Sequence, residues 1–469
     1  MPLVSQAAHP QAAHRQEVKP SASAALNPGS QRDAPAGGAV RSSTADPADQ
    51  RIRFWQLQVS RDPDYWGSYN RLAGAYAQKA RETGDISYLQ LAEASLQQSL
   101  KLESTHAEAA PAFTQLATVH LAEHRFSEAA EDAARAIALL PEDLAAYPYA
   151  GDAQLELGNY EEARKFYNHL DDPNDGRPHP GIEFLAASHG AGLDWIKGDT
   201  ARACAELQQA TLLAGQLHLP AENIAWTEFM LGEQYFQTGD LVSAEKQENA
   251  ALASFARYHR ALAAMGQIRG AQDRFPEAIA FYQQAIAMIP LPLYVAALGD
   301  LYLRIGDKAN AEKQFALVEF IGKLNAINQQ VYNRELALFY ADHNRNLPDA
   351  LTLAKKELEV RHDVFTSDAL AWALLKNHDP VHAREEIERS LRMGTRDALM
   401  EFHAGLIYAA NDDRAAASAH LQRALDLNPH FHVLFANQAA QTLAELKARA
   451  SSTMAAGPGP KDVIQMEMR

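Results

Sequence analysis

Residues 259–318 read HRALAAMGQIRGAQDRFPEAIAFYQQAIAMIPLPLYVAALGDLYLRIGDKANAEKQFALV and carry one pattern twice. The first copy is Leu262-x2-Met265-Gly266-x2-Arg269, then Phe275, Ala278, Tyr282, Ala285 and Pro290. The second is Val295-x2-Leu298-Gly299-x2-Tyr302, then Gly306, Ala311, Phe315 and Val318. Apolar residues three and four apart form one face of a helix, and the Gln-Asp and Gly-Asp pairs between segments break it. Period-2 runs of Val, Ile and Thr are missing, while Ala, Leu, Gln and Glu, strong helix formers, dominate. The expected class is all-α.

Two further copies lie outside this stretch. One runs Phe113-x2-Leu116-Ala117-x2-His120, then Phe126, Ala129, Ala133, Ala136 and Pro141; the other runs Glu401-x2-Ala404-Gly405-x2-Tyr408, then Ala417, Leu421, Ala424 and Pro429. These residues resemble the tetratricopeptide repeat, a helix-turn-helix unit with W-x2-L-G-x2-Y in its first helix, A-x3-F in its second and a closing Pro. The resemblance implies a right-handed superhelical α-solenoid of about ten units, starting near Trp66, Ala110, Leu144, Phe184, Ala225, His259, Pro292, Gln330, Val364 and Ala398. Helix A then places a small residue at Ala73, Ala117, Gly151, Ala191, Gly232, Gly266, Gly299, Ala337, Ala371 and Gly405. Helix B places alanine at Ala92, Ala129, Ala163, Ala203, Ala244, Ala278, Ala311, Ala350, Ala383 and Ala417. The expected organisation is a disordered leader over 1–50, a repeat array over 51–429, a capping helix over 430–448 and a disordered tail over 449–469. Irregular units are expected at 79–88, at an extended loop over 171–180, at a lengthened helix over 207–217, and at an insertion over 343–347.

Composition narrows the function. The chain has 469 residues, 43 Lys and Arg against 59 Asp and Glu, and a net charge of −16. An acidic chain is poorly made for neutralising phosphate backbones, so nucleic acid is not an expected partner. With 47% hydrophobic residues the chain has ample material for a core. Cys204 is the single cysteine, which excludes an intrachain disulfide and a cysteine-based metal site. No stretch approaches the roughly 18 apolar residues of a membrane-spanning helix. Residues 1–19 lack the basic and apolar regions of a secretory signal, so the cytoplasm is the default expectation, and a periplasmic or secreted location follows if the N-terminus is incomplete.

No catalytic or cofactor pattern emerges. His120-x3-His124 has helical spacing for two imidazoles but no accompanying Glu, and His120 falls in a core tyrosine slot. Gly190-x-Gly192 follows no strand and lacks a third glycine. Cys204 adjoins the packing residue Ala203, and His430 and His432 follow the last proline, where they are expected in solvent. The repeats use nearly all the folded residues, so no enzyme, cofactor or metal is expected.

Function is therefore expected on the concave face, to which helix A of the resembling family contributes its second, fifth, ninth and twelfth slots. At these slots lie an acidic and polar stripe, Asp152, Glu233, Gln267 and Asp300, and the aromatic residues Trp226, Phe229, Phe236 and Trp372. Acid with aromatics fits a protein or peptide segment that is basic and carries apolar anchors. The Lys and Asn or Arg set of repeat domains that clamp chaperone carboxylates is missing, as is the asparagine ladder of sugar-transferring relatives. The expectation is a non-enzymatic scaffold of bacterial type. An exported envelope-assembly factor, or a recruiting subunit of a separate enzyme, are the alternatives.

Overall fold

Each unit turns on one residue whose backbone L-amino acids rarely adopt. Between the two helices of the ten units sit Gly84, His124, Gly158, Gly198, Gly239, Asp273, Gly306, Asn344, His378 and Asp412, all with positive φ. The left-handed residue lets the next amide turn back onto helix A, as when the Asp199 N–H donates to the Asp194 carbonyl at 2.9 Å. The following residue then caps helix B: Asp199, Asp240, Asp307, Asp379 and Asp413 each accept from the backbone N–H three residues on, at 3.0–3.3 Å. Gly-Asp and Asp-Asp are thus a helix stop and a helix start in two residues.

The computed structural model describes residues 47–170, 179–327 and 333–455, and among them every element is helical apart from turns and an isolated bridge at Asp85. The first five pairs are Trp66–Thr83 with Ser87–Leu102, Ala110–Ala122 with Phe126–Leu139, Tyr147–Glu156 with Tyr160–Asn168, Pro180–Ile196 with Thr200–Gln216, and Ala221–Gln237 with Leu241–Ser254. The second five are His259–Ala271 with Phe275–Met288, Pro292–Arg304 with Lys308–Ile327, Asn333–Asp342 with Leu347–Val360, Val364–Lys376 with Pro380–Leu391, and Ala398–Ala410 with Arg414–Leu427. The result is an all-α solenoid. Among the described residues no helix is long and apolar enough to cross a membrane.

Within a unit the helices cross at the small residues. All ten helix-B alanines, from Ala92 to Ala417, are at most 1% exposed. In helix A the tolerance is narrower than a methyl wherever helix B presents a ring. A Cβ on Gly266 would lie 2.6 Å from the Tyr282 ring, and one on Gly151 or Gly299 would overlap Tyr167 or Phe315. Phe315 packs both inside its own unit, on Gly299, and against the next one, where its ring lies 5.6 Å from that of Phe339 and 4.2 Å from that of His343.

The ends and the irregular units differ in part from expectation. A helix over Pro47–Arg61 precedes the first unit and takes in residues 47–50, which had been given to the leader; Ala48 and Ile52 pin it to the array. In the first unit, residues 79–83 continue helix A, and the turn is only Gly84 to Ile86. The stretch 343–347 is the turn of the eighth unit, with Asn344 and Asn346 both at positive φ. The expected loop over 171–178 and the unit start at Gln330 fall outside the described residues. Helix Phe435–Ala455 closes the array and runs past 448, burying Phe435, Ala439, Leu443 and Leu446 and exposing Gln438, Gln441, Glu445 and Lys447. The remainder of the tail and residues 1–46 are not described.

The solenoid also closes on itself along its axis. The turn of one unit meets the linker that follows the unit five further on. The His362 N–H donates to the Glu156 carbonyl (2.9 Å), the Val364 N–H to Tyr160 Oη (2.9 Å), Thr395 Oγ1 to the Ile196 carbonyl (2.6 Å) and Asn428 Nδ2 to the Phe236 carbonyl (2.7 Å). Arg361, 2% exposed, pairs with the fully buried Glu156 at 2.9 Å. Backbones approach so closely that a Cβ on Gly158 would stand 2.5 Å from the His362 carbonyl oxygen, and one on Gly198 would overlap that of Gly394. Gly306 has the same positive φ with nothing within 4 Å of such a Cβ.

Two measurements test this account. Gly306→Ala should cost only the left-handed penalty of about 1–2 kcal/mol, and Gly198→Ala a further ~1–3 kcal/mol for the clash. Equal urea midpoints would refute the axial seam. Truncation after Asn428 removes Phe431, Phe435, Leu443 and Leu446 and should lower Tm by roughly 10 °C, given about 2–4 °C per kcal/mol in large domains; an unchanged melt would refute the capping role.

Candidate functional site: an axial cavity

Curling the array brings helix A of the fifth to tenth units and the segment after the last unit around one cavity of about 360 Å³. Binding sites for small groups span roughly 300–1,000 Å³. Four of the eight residues expected on the concave face line it: Phe229, Glu233, Gln267 and Asp300. Asp152 lies elsewhere, accepting from Tyr167 Oη and bonded to His189 Nδ1, both at 2.8 Å. Trp226 is half-buried beside Phe229 but outside the cavity lining.

The two remaining aromatics are corrections. Phe236 is 2% exposed and packs with Ala244, Met265 and Ile268, because it points to the neighbouring helices rather than the axis. Trp372 is 1% exposed, with its Nε1 donating to Asp342 Oδ1 at 2.7 Å and its ring stacked on His403 at 4.3 Å. Neither presents a surface to a partner. The stripe itself is shorter than expected and runs over Glu233, Gln267 and Asp300.

Several lining residues were not legible in the repeat frame. Asp300 accepts from His343 Nε2 at 2.7 Å and lies 3.4 Å from His432 Nε2. His432, expected in solvent, is thereby drawn inward, and it stacks on Phe435 at 4.2 Å. Although burial raises the Asp300 carboxyl, these imidazoles outweigh it and hold it below the usual range, while Asp300 holds His343 above its own. Asp368 lies 3.0 Å from His403 Nδ1, and Asp397 caps its helix through the Met400 N–H at 2.9 Å. Arg334 pairs with Asp363 at 3.1 Å.

Glu233 differs. Among the described residues no donor reaches its carboxyl, though it is 7% exposed, and burial pushes its pKa up to about 7. Metal chemistry has one geometric candidate among the described residues, Glu93, His120 and Glu123. The Arg125 guanidinium already bridges Glu93 and Glu123 at 3.2 and 3.0 Å, and His120 is 2.8 Å from Asp132, so a cation is in place there. Cys204 is half-buried with a raised thiol pKa, the opposite of a reactive cysteine.

The sign of the Glu233 shift gives a prediction. Its folded pKa exceeds the unfolded one, so the native state holds the extra proton, and stability falls as pH rises from about 4.5 to about 7. Glu233→Gln should therefore stabilise the protein by up to ~3 kcal/mol at pH 8 and hardly at all at pH 4.5. Denaturant melts across pH that show parallel wild-type and variant curves would refute this burial.

Comparison with known proteins follows the same geometry. The tetratricopeptide repeat family matches residues 114–178 and again 402–431. No curated protein matches the chain. Similar solved structures include the Cut9–Hcn1 hetero-tetramer of the APC/C, at 14% identity and TM-score 0.32, covering 86% of this chain and 96% of that one. Yeast Tom70 aligns at 12% identity and TM-score 0.33, covering 86% and 99%. A tetratricopeptide repeat protein from Parabacteroides merdae aligns at 16% and 0.31, covering 52% and 93%. Two stretches of the chain, residues 114–178 and 402–431, thus match the tetratricopeptide repeat family, and ten left-handed turns and ten buried helix-B alanines repeat the same helix pair along the array.

Proposed function

We propose that the protein is a non-enzymatic scaffold that takes an extended segment of a partner protein into its axial cavity, the segment being basic with apolar anchors. The observation that carries this reading is the convergence of Phe229, Glu233, Gln267 and Asp300 on one cavity from three separate units. Phe229, Tyr282, Tyr294 and Phe339 supply apolar walls, and the carboxylates supply the preference for a cation. The axial seam matters for the kind of partner: successive turns are joined by buried hydrogen bonds, so a single extended strand of chain fits where a folded domain or a docked helix does not.

Charge reversal at Asp300 is not a clean test, because that carboxylate is bonded to His343 and faces His432, and breaking such a pair destabilises the fold. Filling the cavity is cleaner. Ala297 lines it and is half-buried, so Ala297→Trp should block entry while leaving the melt within a few degrees of wild type. Affinity purification of wild type and variant side by side, with mass spectrometry, should show a protein retained only by wild type. Equal retention of every protein by both would move the interaction to the outer surface.

A further inference from the structure

We propose that Glu233 is the floor of a socket for one organic cation, an alkylammonium or guanidinium carried on an apolar stem, between the phenol rings of Tyr282 and Tyr294. The inference rests on the cavity reading above and deepens it by naming the group bound. The aspartates of the cavity are already engaged: Asp300 by His343, Asp342 by Trp372, Asp368 by His403 and Asp397 by the Met400 N–H. Glu233 lines the same space with no donor among the described residues. The cations of the opposite wall are committed elsewhere, Arg334 to Asp363 and Arg361 to Glu156.

A second acid stands behind the first. Glu248 occupies the helix-B place that holds Tyr167, Tyr282, Phe315 or Leu421 in other units, packed on Gly232 as those side chains pack on their own glycines. It is 0% exposed and both of its oxygens lack a hydrogen-bond partner. Burial first, then the charges of Glu233 and Glu228, push its carboxyl well above the usual carboxylate range. A buried acid where other units use a ring, next to the unpartnered Glu233, is a standing destabilisation that one cation at Glu233 would relieve, since ionising Glu233 in its presence no longer leaves an unpaired buried charge. Tyr282 and Tyr294 both sense the charge of Glu233, and with Phe229 they provide faces for the aliphatic stem. Among the described residues, Arg260, Glu248, Glu228, Asp300, Tyr282 and Tyr294 are charged and titratable groups that act on the site.

The test is calorimetric titration of the full chain at pH 8 with three probes: the blocked pentapeptide Ala-Phe-Lys-Leu-Ala, the same peptide with norleucine for lysine, and spermidine. The lysine peptide should bind at least tenfold tighter than the norleucine peptide. Glu233→Gln should erase that difference without weakening the norleucine peptide. Spermidine binding that is tighter than the lysine peptide's and lost in Glu233→Gln also supports the socket and assigns it to a free polyamine. Equal affinity of the two peptides, both lost in Ala297→Trp, would overturn the socket and leave the cavity reading standing. A cation preference that survives Glu233→Gln, or no binding of any probe at millimolar concentration, would overturn the socket as well.

Discussion

The structure depends on a single backbone conformation repeated ten times, the left-handed residue between the two helices of each unit. It ends helix A, aims the following cap at helix B and so fixes the angle at which the pair packs. Five of the ten are Gly and the others Asn344, Asp273, Asp412, His124 and His378, types that tolerate positive φ at modest cost, and at some of the glycines a second demand applies. At Gly158 and Gly198 the turn also presses on a carbonyl of the next superhelical turn, where any Cβ would collide. Local conformation and long-range closure are therefore written at the same residues, and the axial cavity exists because both are satisfied.

Much of this was legible in the sequence. The alanines of helix B announce a close crossing because a methyl group is the largest that fits, and the unit starts at Trp66, Ala110, His259, Pro292, Val364 and Ala398 coincide with helix starts in the structure. The starts near Phe184 and Ala225 fall four residues late, since Pro180 and the residue after Pro220 begin those helices ahead of the apolar pattern. The N-terminal helix Pro47–Arg61 escaped because it lies outside the repeat and carries large apolar side chains only at Ile52, Phe54, Trp55, Leu57 and Val59.

The site was only half legible, for a physical reason. Slot positions say which side chains leave helix A on its inner side, but not how tightly the solenoid winds. Phe236 and Trp372 satisfy the slot rule and are nevertheless core, because winding brings a neighbouring helix against each. His343 and His432 obey no slot rule, yet face the axis once residues about five units apart come together, while Asp368 occupies the fifth slot of its unit. No local period encodes that distance; the Gly158 and Gly198 turns are its one trace in the sequence, and they look the same as Gly306, which touches nothing.

The seam and the cavity place opposite demands on buried charge. Along the seam Glu156 and Arg361 are paired within 2.9 Å and shielded from water, an arrangement that contributes little net stability but penalises any register that separates them. Glu233, which lines the cavity, and Glu248 behind it are left without such a partner, and at Glu248 a fold selected for stability alone would place the ring used in its other units. Charge is thus neutralised along the seam and at the cavity's aspartates, and left without a partner at Glu233. Because binding free energy adds to native stability, a cation entering at Glu233 would tighten the fold at the place where its own sequence leaves it weakest, and occupancy of the cavity would be felt by the two units that carry Glu233, Glu248 and Tyr282.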